Sequence, residues 1–80
     1  SLSDDDREIL KRRIGAAMTC LPKRDREIVK MFYGIDDEYE IPRSSEDIAD
    51  ITKMTTVNVN KIIRDSLARM KNFLKDKIKN

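Results

Sequence analysis

The 80-residue sequence contains no histidine and no tryptophan, one cysteine, two glycines and two prolines. Without histidine, the commonest ligand of a catalytic zinc and the base of a Ser-His-Asp triad are both missing. The lone Cys20 permits neither a disulfide framework nor a CxxC metal pair, and reads as a small apolar residue at a helix end. No apolar run approaches the roughly 18 residues of a membrane-crossing helix, and no signal-peptide pattern is present. No constellation of nucleophile, base and metal ligand occurs, so neither an enzyme nor a cofactor is expected.

What the sequence has is charge. Charged residues make up 40% of the chain and hydrophobic residues 39%, the profile of a helical domain with a highly charged surface. Eighty residues suit one domain, 1–80, with a modest core and a few kcal/mol of net stability. The chain opens at Ser1 without a methionine, so it reads as a piece of a longer protein. Its net charge of +2 is unevenly spread. Residues 1–42 carry eight Lys/Arg against ten Asp/Glu, whereas residues 43–80 carry nine against five. A basic C-terminal half suits a polyanion partner, of which nucleic acid is the commonest; a merely solvated helix face is the competing reading.

Four helices are expected. Ser3 before Asp4-Asp5-Asp6 reads as an N-cap with acids in the first turn, although a divalent-metal site is an alternative. Leu10, Ile14, Ala17, Met18 and Leu21 then keep helical spacing. Leu21-Pro22 breaks that pattern, and Pro22 opens a second helix to about Tyr33 with Ile28, Val29 and Phe32 inward and Gly34 as its stop. After an acidic loop over 35–44, Ser44 or Ser45 caps a short third helix, "SEDIADIT". Lys53-Met54 forms a tight turn and Thr55 caps a fourth helix running to about residue 78. Val59, Ile62, Ile63, Ser66, Leu67, Met70, Phe73 and Leu74 line its apolar stripe. The reading is therefore an all-α, four-helix domain. The first two helices fall within 1–34, and 44–80 form a C-terminal helix-turn-helix with a long recognition helix. Ala49 stands where the two helices of that unit would cross closely.

The stretch "TTVNVN" sits awkwardly at the start of this last helix, since β-branched and Asn residues are poor helix formers. At about 100° per residue, Val59 faces the core while Val57, Lys61, Arg64 and Ala68 face outward, flanked by Asn58, Asn60 and Asp65. The first turns of such a helix enter the DNA major groove. There Asn bonds adenine, Lys bonds guanine acceptors, and a branched apolar side chain touches the thymine methyl. The poor helix formers thus have a reason to be present. The plainer alternative is a Thr cap, packed valines and solvated asparagines.

The run "LPKRDREIVKMFYGIDD", followed by "SEDIADITKMTTVNVNKIIRDSLARMK", resembles region 4 of bacterial RNA polymerase sigma factors of the sigma-70 family. The similarity covers about residues 10–75. It implies recognition of the promoter −35 element as double-stranded DNA and docking on the β flap of RNA polymerase core. It also implies a surface open to activators or anti-sigma proteins, and a bacterial, cytoplasmic, nucleoid-associated setting. Base contacts are expected from Thr56, Val57, Asn58 and Lys61. Phosphate contacts are expected from Arg43, Lys53, Thr55, Asn60, Arg64 and Lys71, and flap contacts from Phe73, Leu74 and Ile78, with closure of the core against the first helix as the alternative for these three. The family's usual Arg-Glu and Gln at the reading positions are absent, which marks a divergent member. Two other readings remain: a response-regulator-type output domain, and a protein-interaction module that does not bind DNA.

Overall fold

The computed structural model describes residues 3–35 and 41–78, with the side chains of Arg7, Lys77 and Ile78 outside it. Four helices make up the fold: α1 (Asp4–Met18), α2 (Lys23–Tyr33), α3 (Ser45–Thr52) and α4 (Thr56–Ile78). No strand occurs among the described residues. No described helix is long and apolar enough to cross a membrane.

Local chemistry sets each boundary. The Ser3 hydroxyl accepts from the Asp6 N–H at 3.2 Å, so the acidic run begins a capped helix. At the other end of α1, Arg26 reaches back from α2. Its Nε donates to the Met18 carbonyl at 3.3 Å and its Nη2 to that of Leu21 at 3.1 Å. One guanidinium thereby ties the last residue of α1, whose carbonyl also accepts from the Leu21 N–H at 3.1 Å, to the turn that leads into α2. Pro22 lies one place earlier than expected, as the cap of α2 and not its first residue. Gly34 ends α2 in the left-handed region, at φ 67°, where a side chain would be strained.

Of the two candidate serines, Ser44 caps α3 by accepting from the Asp47 N–H at 3.1 Å. The α3 helix stops at Lys53, which takes φ 61° although it is not glycine. The carbonyl of Ala49 accepts from the N–H groups of both Lys53 and Met54, closing the turn. Thr55 then caps α4, its hydroxyl accepting from the Asn58 N–H at 3.1 Å. Three residues therefore separate α3 from α4, each of them committed to the turn.

At about 1.5 Å per residue, the 23 residues of α4 span about 35 Å, close to the 39 Å long axis of the molecule. The other three helices pack along it. Two apolar clusters result. Ala17, Met18, Leu21, Val29 and Met70 form one, joining α1 and α2 to the later turns of α4. Ile28, Ile48, Ala49, Val59 and Ile63 form the other, joining α2 and α3 to its first turns. Leu67 touches both. Ser66 lies between them, 1% exposed, with a hydroxyl that has no hydrogen-bond partner among the described residues.

One expectation needs correction, and two gain detail. Leu10, spaced with the inner residues of α1, is 48% exposed, so the buried part of that stripe begins further along the helix, at Ala17 and Met18. Cys20 lies in the turn after α1 as expected, but is exposed there and packs in no core. Phe32 packs against the cluster around Ile28 as expected, half-buried and edge-on to Tyr33 with ring centroids 5.1 Å apart.

Candidate nucleic-acid interface

The geometry of α4 follows from which residues it buries. Val59, Ile63, Ser66 and Met70 are buried, which turns Val57, Lys61, Arg64 and Ala68 to solvent on the opposite side. Val57 is 77% exposed, the most exposed large apolar side chain among the described residues. Its neighbours on this face are polar or cationic, so it stands singly and not in an apolar patch. Asn58 flanks the face on the α2 side and Asn60 on the α3 side, both exposed.

The expected base-contacting residues do not all share this face. Val57 and Lys61 stand one helical turn apart on its midline, with Asn58 on its edge. Thr56 is half-buried, lying off the midline of this face. Of the expected phosphate contacts, Lys53 and Thr55 are exposed in the turn, and Arg64 lies on the α4 face. Lys71 stands two turns beyond Arg64 on the same side, about 10 Å along the axis. Arg43 is half-buried, its N–H donating to the Met31 carbonyl at 3.0 Å, which fastens it to the end of α2. Asn60 accepts a hydrogen bond from the Ser45 hydroxyl across the α3–α4 boundary.

Charges on this surface are weakly engaged. Arg64 Nε lies 3.5 Å from Asp65 Oδ1 with both side chains well exposed, so the pair contributes little and opens readily. Lys61 has no ion-pair partner among the described residues. Beside it runs an open groove of about 470 Å³ between the start of α2 and α4, lined in part by Arg24, Asp25, Lys61, Asp65 and Arg69. Arg24 and Asp25 pair at 3.2 Å on its far wall. The groove thus mixes both signs, whereas the Val57–Arg64 face carries Lys61 and Arg64 between amides, with Asp65 beside Arg64 on one flank.

The expected flap-contacting residues divide differently. Phe73 and Leu74 are half-buried against the cluster formed by Ala17, Met18, Leu21, Val29 and Met70. Only part of each side chain is open to a partner. The side chain of Ile78 lies outside the described residues. No group of three or more His, Cys, Asp or Glu side chains placed to hold a metal ion occurs among the described residues.

Two participants are not legible in the sequence. Ser45 emerges as the partner of Asn60, and Arg26 as the clamp on α1. Both are long-range or corner contacts, and no periodicity in the sequence signals them. Comparison with protein-family models, curated proteins and solved structures finds no match to this chain.

Proposed function

We propose that this chain is a promoter-recognition domain of a divergent bacterial sigma factor. On this reading α3 and α4 act as a helix-turn-helix that inserts the first turns of α4 into the major groove of duplex DNA. The observation that carries it is Val57, an exposed branched apolar residue at the start of α4 among Asn58, Asn60, Lys61 and Arg64. A thymine methyl in the major groove is the partner that suits such a residue at this position.

Val57 has no hydrogen-bonding capacity and Lys61 offers only donors. Together they favour a thymine beside a guanine, read on neighbouring base steps. Lys53, Arg64 and Lys71 hold phosphates and set the register without reading sequence. Docking on the β flap of polymerase rests on the resemblance, with the accessible edges of Phe73 and Leu74 as its apolar contribution.

Duplex binding across a salt series tests the reading. A groove reader loses affinity steeply as salt rises, through release of counterions from the phosphates. Lys61→Ala should cost about 1–3 kcal/mol on the preferred duplex and relax the choice at the guanine. Replacing the thymine by uracil should reproduce Val57→Ala. The carboxylates of Asp25 and Asp65 beside Lys61 favour one competing reading, a module whose partner is a protein. Duplex binding that is negligible at every salt concentration would establish that alternative.

A further inference from the structure

Ser44 and Ser45 stand together at the start of α3 and do different work. The Ser44 hydroxyl is used within α3, accepting from the Asp47 N–H. The half-buried Ser45 hydroxyl instead donates across the boundary to Oδ1 of Asn60, in the second turn of α4. An Asn amide has an acceptor end and a donor end. With Oδ1 engaged by Ser45, the two Nδ2 hydrogens are the open end of an exposed side chain. Asn60 is also on the flank shared with Arg64, beside the outward face of α4.

We propose that Ser45 is a positioning residue: it orients the Asn60 amide so that its N–H donors contact a phosphate oxygen of the DNA backbone. This inference rests on the DNA-binding reading above. It gives Asn60 a role distinct from that of the cations. A free Asn can turn either end to a base and bond adenine through both. An Asn tied at its oxygen presents donors, which suits an acceptor-only anion. Because the amide is neutral, the contact fixes register and distance while displacing no counterion. Ser45 and Asn60 also bridge α3 and α4 directly, so the contact ties the orientation of one helix to the other.

The test is a double-mutant cycle on duplex affinity in the 80-residue chain, using Ser45→Ala, Asn60→Ala and the double variant, with melting curves for each. Each single change should weaken binding roughly three- to tenfold, the worth of one hydrogen bond, on every duplex of a base-substituted panel. The double variant should bind no more weakly than Asn60→Ala, and Ser45→Thr should restore wild-type affinity. The salt slope should stay at the wild-type value in all of them.

Asn60→Asp separates positioning from mere support of the fold. It keeps an acceptor for Ser45 and should melt like wild type, yet bind more weakly than Asn60→Ala because an anionic oxygen replaces the donors. Additive losses in the cycle, a changed base preference, or wild-type affinity in the Asp variant would each overturn the inference while leaving duplex binding intact. A wild-type chain without salt-sensitive duplex binding would overturn both this inference and the reading beneath it.

Discussion

The two apolar clusters along α4 are built from different materials. Around the first turns of α4, the buried residues are Ile28, Ile48, Ala49, Val59 and Ile63. All but Ala49 are β-branched, with few rotamers to choose between. Toward its far end they are Ala17, Met18, Leu21, Val29 and Met70, where methionine fills space adaptably. Capping follows the same division. The α3–α4 region has a Ser44 cap, a left-handed Lys53 and a Thr55 cap within twelve residues. The α1 helix has a cap at Ser3 but leaves Ile9 and Leu10 about half exposed. The end of the molecule that carries the candidate interface thus has the more rotamer-restricted buried centre, with Met31 and Met54 only at its margin. Base readout needs side chains held by packing and supporting hydrogen bonds, which an adaptable support would not supply.

The strongest attempt to break this contrast is Ile48→Ala. Ile48 is fully buried, and its loss should cost about 2–5 kcal/mol, a large share of the stability of so small a domain. Thermal or urea unfolding measures it. A cost near zero would mean that the α3 cluster is no tighter than its neighbour.

Ala49→Leu probes the same cluster from the other direction. Ala49 is 6% exposed among Ile28, Ile48, Val59 and Ile63, so a larger side chain should overpack it by roughly 1–3 kcal/mol. An unchanged melting temperature would remove Ala49 from a close helix crossing.

Lys53→Gly should move stability and binding in opposite directions. At φ 61° a lysine bears strain that glycine does not, so the substitution should stabilise by about 1 kcal/mol. Duplex affinity should fall instead, with the salt slope reduced by about one unit because one phosphate is no longer neutralised. Unfolding curves and a salt series on one protein preparation check both signs. Equal or tighter DNA binding would leave the strained lysine with no role in the interface.

The smallest effect is expected in α1. A methyl group added at Gly15 meets nothing within 4 Å, so Gly15→Ala should stabilise by about 0.5–1 kcal/mol through helix propensity alone. A destabilisation in the melting curve would show that α1 is more closely covered than its exposed Ile9 and Leu10 suggest.

Much of this is written in the chain itself. The stripe from Val59 to Met70, the stop at Gly34, the caps at Ser3 and Thr55 and the outward turn of Val57 all follow from short-range rules. Helical period, φ preference and the reach of a hydroxyl to an N–H three residues on act within one or two turns. The candidate interface is legible to the same extent, because burying Val59 forces Val57 outward whatever lies around it. The tertiary structure decided the rest. It left Leu10 in solvent, since coverage depends on which helix passes overhead and not on spacing. It turned Thr56 half inward, chose for Phe73 and Leu74 between the α1 cluster and an outside partner in favour of partial burial, and joined Ser45 to Asn60 across fifteen positions of sequence. Each of these depends on where a second helix lies, and a period read along one helix holds no information about the distance to another.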